Sequence, residues 1–229
     1  MASGEVTART TVPQVTRNRA PTRRVVIASA PAMTTTLDTF FDGAKVDLAA
    51  LSAALDAMTH EARLEAALSL SAKQQAALFD SALGFKKISL EDFVAKAKGS
   101  LTPVIHHGRN SLPMFTRFQK RFARAPESET GGKAELWGYN EQVMRAFTGP
   151  GYFVAYDIND GEVNIDYTRV PPRGAPGWPP VLLNTAKLSR FIYNGTQDLM
   201  RGVSKHVTIG RASRGGKVMN NWFVLVRED

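Results

Sequence analysis

Apolar positions follow a helical period in the first half of the chain and an alternating period in the last third. Between residues 36 and 98, one helical face carries the large apolar residues Leu48, Leu51, Leu55 and Met58. Three residues of the types that cap helix N-termini precede helical runs in this segment: Thr59, Ser71 and Ser89. The pattern predicts about four short helices.

The segment 114–124 combines aromatic and basic residues in a pattern that fits one further helix. The apolar face of this helix would hold Met114, Phe115, Phe118 and Phe122, and the opposite face Arg117, Lys120, Arg121 and Arg124. A basic amphipathic helix can lie on an anionic membrane or bind in the groove of a partner, and it can equally pack its phenylalanines on the core. Residues 126–133, with two consecutive glycines, predict a loop and an internal boundary.

The last third contains short β-type runs that are separated by turn residues. Residues 152–158 and 162–167 flank an Asn-Asp-Gly turn and predict a β-hairpin. Residues 203–209 and 222–226 flank a Gly-rich connection and predict a second pair of strands. Alternation in the last strand makes Trp222, Val224 and Val226 its expected inward face.

These patterns predict an α+β protein, with an N-terminal short-helix region followed by a C-terminal antiparallel β-barrel or strongly curved sheet. Residues 1–32 are rich in Thr, Arg, Pro and Ala and have no periodic apolar face, so we expect a disordered basic tail there. The helical region is expected over 33–125 and the β-barrel-like domain over 134–229. With 229 residues, of which 43% are apolar, the chain can bury a proper core.

Charge and cysteine content narrow the possible function classes. Half of the net charge of +8 comes from residues 1–32, which hold five arginines and one acidic residue, so the charge says little about the folded part. The absence of cysteine excludes disulfides and thiolate chemistry and fits a reducing, cytoplasmic compartment. Two alternatives stay open for the tail: residues 22–27 resemble a twin-arginine export signal, and an Arg-rich, acid-poor leader is typical of an organelle transit peptide.

We find no sequence motif for a cofactor or for a metal ion, and we expect neither. His106 and His107 are adjacent in an extended segment, so their side chains should lie on opposite faces, where they cannot both bind one ion. The loop 210–217 ends in a lysine, as phosphate-binding loops do, but it leads to a predicted strand instead of a helix.

The candidate binding residues are polar and aromatic side chains of the predicted strands. Alternation places Ser204, His206 and Thr208 on one face, which would be a binding surface in a closed barrel and a wet surface in an open sheet. Arg201 and Arg211 are the basic groups expected to hold a carboxylate or phenolate. The residues predicted to contact a ligand are Tyr156, Tyr167, Arg201, His206, Asn221 and Trp222.

Three stretches of the C-terminal part carry a resemblance to a known type of protein. Residues 191–194, 201–209 and 221–229 resemble the closing strands of small lipocalin-like barrels, among them the uncharacterised proteins with a GxWxG motif. The resemblance implies a barrel that encloses a hydrophobic ligand, and it implies no catalytic residues.

The sequence leaves three functions open. The first is binding of a small hydrophobic molecule, uncharged or singly anionic, inside the barrel. The second is a cofactor-independent enzyme, in which a Tyr or His of the same cavity acts as acid or base on an apolar substrate. The third is binding of an anionic surface, nucleic acid or membrane, through residues 117–124 and 211–217. A titratable group inside the cavity would separate the second function from the first.

Overall fold

A computed structural model describes Met1 and residues 36–228, except Phe115, Met144, Asp160 and Lys187. Apart from Met1, the tail predicted over 1–32 lies outside the described residues, and so do the targeting motifs within it. The described chain has the α+β architecture that the sequence predicts, because short helices precede a closed antiparallel β-barrel of eight strands.

The segment before the barrel forms short helices whose starts follow from single capping side chains. Its elements are a 3₁₀ helix (Asp38–Phe40), the strands β1 (Phe41–Asp42) and β2 (Lys45–Val46), and the helices α1 (Leu48–Ala57), α2 (His60–Ala67), α3 (Ala72–Ser81) and α4 (Leu90–Phe93). The side chains of Thr59, Ser71 and Ser89 accept hydrogen bonds from backbone N–H groups in the first turns of α2, α3 and α4. The predicted helix starts are therefore confirmed.

The barrel is a meander in which each strand pairs with the next one along the chain. Its strands are β3 (Val104–Asn110), β4 (Arg117–Arg124), β5 (Leu136–Glu141), β6 (Tyr152–Asn159), β7 (Glu162–Asp166), β8 (Thr196–Gly202), β9 (Val207–Arg214) and β10 (Lys217–Arg227). The connections contain the short helices α5 (Glu127–Thr130), α6 (Arg145–Thr148) and α7 (Ser189–Ile192). Pairing of β10 with β3 closes the barrel, so its wall has no unpaired sheet edge.

Residues 117–124 form strand β4, and the prediction of an amphipathic helix was wrong. Phe118 and Phe122 are four residues apart, a spacing that fits one face of a helix and also one face of a strand. Because β4 belongs to the barrel, the barrel begins at Val104 and the helices before it end at Phe93. Residues 126–133 therefore lie in the connection between the neighbouring barrel strands β4 and β5.

Helices α1, α2 and α3 pack on the outer face of β9 and β10. Their leucines contact Val224 and Val226, and Trp222 packs against the same cluster. The register of β10 is thus opposite to the predicted one: Trp222 faces the helices, whereas Phe223 and Leu225 point into the barrel. The prediction failed because both faces of this strand are apolar and buried, so alternation alone does not identify the lumen.

Three pairs of glycine and phenylalanine on neighbouring strands fill the middle of the lumen. The pairs are Gly108 with Phe118, Gly138 with Phe153 and Gly210 with Phe223. A Cβ atom added to any of the three glycines would lie within 2.3 to 2.5 Å of its partner's ring. Each ring therefore lies over the glycine of the neighbouring strand. The three rings together fill the centre of the lumen.

One end of the barrel is closed by the segment that contains α4. Phe93 is fully buried between His106, at 5.4 Å between ring centroids, and Phe122, at 5.2 Å. Nε2 of His106 lies 3.0 Å from the carbonyl oxygen of Phe93, and Arg124 donates to the carbonyl of Val94 at 2.7 Å. The described side chains of this segment therefore pack against this end of the lumen.

Candidate ligand-binding site

A cavity of about 310 Å³ occupies the open end of the barrel. This end is formed by the four connections β3–β4, β5–β6, β7–β8 and β9–β10. The apolar part of its wall includes Leu112, Met114, Phe118, Ile192 and Phe223. The volume lies at the lower end of the range of small-molecule sites, so the cavity suits a small and mostly apolar molecule.

Four polar side chains, from strands β4, β5 and β8 and from the residue that follows β7, meet at the floor of this cavity. Nζ of Lys120 donates to Asp198 Oδ2 and to Asn140 Oδ1, each at 3.1 Å, and also to the hydroxyl of Tyr167. Nδ2 of Asn140 donates to the Tyr167 hydroxyl at 3.0 Å and to the carbonyl of Gly151 at 3.1 Å. All three N–H groups of the ammonium thus have partners, as a buried charge requires.

Aromatic rings surround the same ammonium group. Nζ of Lys120 lies between 4.9 and 5.6 Å from the centroids of the rings of Phe118, Phe153, Tyr167 and Phe223. Cations are attracted to the faces of aromatic rings at such distances, most strongly where water is excluded. Three of these rings, those of Phe118, Phe153 and Phe223, belong to the glycine pairs, so the packing of the lumen also positions Lys120.

Burial shifts the pKa values of two groups at the floor of the cavity, Lys120 and Tyr167. Burial lowers the pKa of Lys120, and the carboxylate of Asp198 opposes this shift. Burial and the negative charge of Asp198 raise the pKa of Tyr167 well above its usual range. The Tyr167 hydroxyl therefore stays protonated at neutral pH and can act as a hydrogen-bond donor.

The mouth of the cavity adds further polar groups. Nε2 of Gln142 donates to the hydroxyl of Tyr193 at 3.0 Å and to Thr148 Oγ1 at 2.9 Å. The ring of Tyr193 stacks on that of Tyr167 at 5.3 Å between centroids. Asn221 also lines the cavity, and among the described residues its Oδ1 atom is buried with no hydrogen-bond partner. The wall is therefore apolar with a few polar groups that converge on its floor and mouth.

Two of the six residues predicted to contact a ligand line the cavity. They are Tyr167 at the floor and Asn221 at the wall. The other four, Tyr156, Arg201, His206 and Trp222, lie elsewhere on the barrel. Thr208, predicted to share a face with His206, is buried and lies on β9, whereas Ser204 and His206 lie in the turn between β8 and β9.

The four residues outside the cavity lie on the outer surface of the barrel or, for His206, in the turn between β8 and β9. Arg201 donates to Glu162 at 2.8 Å and to the carbonyl of Phe79 on α3 at 2.9 Å, so it joins a helix to the barrel. The hydroxyl of Tyr156 accepts a hydrogen bond from Asn164 at 2.9 Å. Arg211, the second predicted anion contact, lies over the ring of Trp222, 5.0 Å from its centroid.

Sequence reasoning missed the three residues that complete the floor, Lys120, Asn140 and Asp198. Lys120 was placed on the solvent face of a helix, although it lies between Phe118 and Phe122 in strict alternation. That alternation was the available signal, because a lysine flanked at both second neighbours by phenylalanine shares their face in a strand. Asp198 lies in a strand with no comparable pattern, so only the fold reveals its position.

The described residues hold no group of three or more His, Asp or Glu side chains arranged to bind a metal ion. In the same part of the chain, no helix combines the length and the apolar character that a membrane span needs. No protein-family model, curated protein or solved structure matches the chain. The chemistry of the site is therefore argued from its own residues.

Proposed function

We propose that the barrel binds a small, mostly apolar molecule in the cavity at its open end, as the resemblance to small lipocalin-like barrels implies. The observation that carries this proposal is the cavity itself, which has a mostly apolar surface and a few polar groups. Binding sites for small molecules combine these two properties. Tyr167 and Asn221 are the predicted contacts that take part.

The floor favours a ligand whose buried end is polar but uncharged. Lys120 and Asp198 already neutralise each other, so a ligand carboxylate would add a second anion where one cation is present. An uncompensated charge in a water-excluded site costs several kcal/mol. A carbonyl or hydroxyl group can instead exchange hydrogen bonds with Tyr167 and Asn140. Within the class expected from the sequence, the uncharged ligand is therefore preferred over the singly anionic one.

Fluorescence titration with two related probes tests the proposal. N-phenylnaphthylamine is uncharged, and anilinonaphthalene sulfonate adds one sulfonate to the same aromatic frame. We expect saturable binding of the uncharged probe and weaker binding of the sulfonate. Lack of binding by both probes would contradict the proposal, and tighter binding of the sulfonate would contradict the argument from charge.

Two adjacent asparagines supply a matched pair of variants for this titration. Asn221 lines the cavity, and its chain neighbour Asn220 is exposed and takes no part in the lining. Asn221→Trp should fill the mouth and weaken probe binding about tenfold or more, because the ring occupies the space of the ligand. Asn220→Trp should bind the probe as the unchanged protein does. Equal affinities in the two variants would place the bound probe outside the cavity.

A cofactor-independent enzyme is the second candidate, and titratable groups inside the cavity favour it. The amine of Lys120 and the hydroxyl of Tyr167 both line the wall. After transfer of the ammonium proton of Lys120 to the Asp198 carboxylate, the amine can accept a proton from carbon next to a carbonyl group while Tyr167 donates a hydrogen bond to the carbonyl oxygen. Exchange of such protons for deuterium in small bound ketones, followed by NMR, tests this activity. Exchange that persists in Lys120→Met/Asp198→Asn would exclude Lys120 as the base.

A further inference from the structure

Large apolar side chains are exposed around the mouth of the cavity. They come from three separate connections, β3–β4, β5–β6 and β7–β8, and we call them the apolar rim: Leu112, Met114, Val143, Phe147, Phe191 and Ile192. The side chains of Phe147 and Phe191 are 65% and 61% exposed. Scattered single apolar residues are normal on protein surfaces, but a set on three connections of one barrel end, of which Leu112, Met114 and Ile192 line the cavity, marks an interaction surface.

Near the closed end, the exposed large apolar side chains of the described residues are Ile158 at the end of β6 and Leu83 and Phe85 in the segment before α4. Among the described residues of the connections β4–β5, β6–β7 and β8–β9, no large apolar side chain is exposed. The charges in and beside those connections are mixed and largely paired: Glu129, Glu135 and Glu162 pair with Arg173, Arg169 and Arg201. The two ends therefore differ in the number of exposed apolar side chains on their connections.

The open end is basic in sequence as well as apolar. The segments 110–117, 141–151, 183–196 and 214–217 contain one acidic residue, Glu141, which pairs with Arg145 at 2.8 Å. The basic residues of these segments are Arg117, Arg145, Lys187, Arg190, Arg214 and Lys217. Arg117, Arg190 and Lys217 are exposed, so positive charge borders the apolar rim.

We propose that the apolar rim docks on an anionic lipid surface, with its apolar side chains at the level of the acyl chains and the bordering basic residues among the headgroups. Peripheral proteins bind membranes through this combination of buried apolar area and attraction to anionic lipids. The rim surrounds the mouth, so a docked barrel presents its cavity to the lipid. An apolar ligand then passes between membrane and cavity without crossing water.

The charge argues against a second copy of the chain as the occupant of the rim. In a symmetric dimer the same patch meets itself, so the exposed basic residues of two rims would face each other. Like charges at close range repel, whereas lipid phosphates neutralise them. The apolar side chains also stand on separate loops around an opening, an arrangement that suits insertion between lipids better than packing against an equally open copy.

Co-sedimentation of the full chain with vesicles tests the docking. We expect binding to vesicles of phosphatidylcholine and phosphatidylglycerol in equal parts, weaker binding to phosphatidylcholine alone, and partial loss in high salt. Phe147→Asp/Phe191→Asp should weaken binding about tenfold or more, because burial of one phenylalanine is worth more than one decade of affinity. The matched control is Phe85→Asp, at a phenylalanine 41% exposed in the segment that bridges to the closed end.

Charge reversal provides a second pair of variants. Every variant keeps the basic residues of the segment 1–32, so the tail does not differ between them. Arg190→Glu should weaken vesicle binding, whereas Lys205→Glu, in the β8–β9 turn of the closed end, should leave it unchanged.

Three results would overturn the docking: no vesicle binding, equal loss in rim and control variants, or binding of a DNA duplex in place of vesicles. Dimers that the rim variants dissociate, without vesicle binding, would assign the rim to a second copy. Retained binding of N-phenylnaphthylamine in the rim variants separates failure of docking from failure of the cavity proposal.

Discussion

Lys120 on β4 and Asp198 on β8 form an ion pair across the lumen, with 3.1 Å between Nζ and Oδ2. Their strands are not neighbours in the sheet, since β4 pairs with β3 and β5 and β8 with β7 and β9. Both side chains are almost completely buried, at 3% and 4% exposure. The pair therefore joins two opposite walls at the level where the packed lumen ends and the cavity begins.

Removal of one partner of this pair should destabilise the protein more than removal of both. Lys120→Met leaves the Asp198 carboxylate buried without a cation, and we expect a loss of about 3–5 kcal/mol in the free energy of unfolding. Asp198→Asn should cost a similar amount. The double variant Lys120→Met/Asp198→Asn should recover a large part of the loss. Urea unfolding of the four proteins measures the coupling; additive losses would mean that the charges do not interact.

His106 should make the protein sensitive to mild acid. Burial lowers the pKa of His106 from 6.5 to about 3, and the positive charge of Arg227 acts in the same direction. As the pH falls below 6.5, His106 is protonated in the unfolded chain but stays neutral in the folded protein. The free energy of unfolding therefore falls. Between pH 6.5 and 4 this amounts to about 3 kcal/mol, from 1.36 kcal/mol for each pH unit.

Urea unfolding across this pH range, with a matched histidine pair, measures the effect. His106→Phe removes the titrating group, so its stability should fall less between pH 6.5 and 4 than that of the unchanged protein. His107, the next residue, lies on the outer face near Glu228 and keeps partial exposure. His107→Phe retains His106 and should keep the full acid loss. Identical pH profiles of the two variants would show that His106 takes up its proton in the folded state.

The glycine of a lumen pair should not tolerate even a methyl group. A Cβ atom at Gly138 would lie 2.3 Å from the ring of Phe153 and 2.6 Å from the carbonyl oxygen of Arg121. Gly138→Ala should therefore cost about 1–3 kcal/mol or more in unfolding free energy. Gly99→Ala is the control, since a Cβ there would meet only Thr102 Oγ1, at 3.7 Å. Equal stability of the two variants would contradict the close packing of the lumen.

Trp222 and Phe223 should affect different properties because they face opposite sides of one strand. Trp222→Ala removes packing between β10 and the helices, so it should lower stability by about 2 kcal/mol or more and leave the affinity for N-phenylnaphthylamine unchanged. Phe223→Ala enlarges the cavity and should alter that affinity as well as stability. Loss of probe binding in Trp222→Ala alone would restore the register expected from the sequence.

Local signals in the sequence were sufficient for the helices and for one hairpin. A capping side chain such as Ser71 acts on the turn beside it, and the strands over 152–167 are joined by a turn of their own. The expected opposite orientation of His106 and His107 also follows from neighbouring residues alone, and it is confirmed by the buried first ring and the outer second ring. Such features need no knowledge of distant contacts.

The floor of the cavity depends on contacts that no local pattern specifies. Lys120 and Asp198 are brought together only when the strands close in a particular register. The same closure decides which face of β10 is the lumen, because Trp222 and Phe223 are both apolar. Sequence periodicity identifies two faces of a strand but not which one is inside when both are buried.

Closure by β10 has a consequence for how the protein folds as it is made. Helices α1–α3 leave the ribosome early, whereas the strands that cover their apolar face, β9 and β10, are synthesised last among the described elements. Leucines such as Leu51 and Leu78 then lack their native partners on the barrel until β9 and β10 have emerged. Closure of the wall and complete docking of the helices thus both depend on the last strand, and apolar surface of the helices stays exposed on the nascent chain until then.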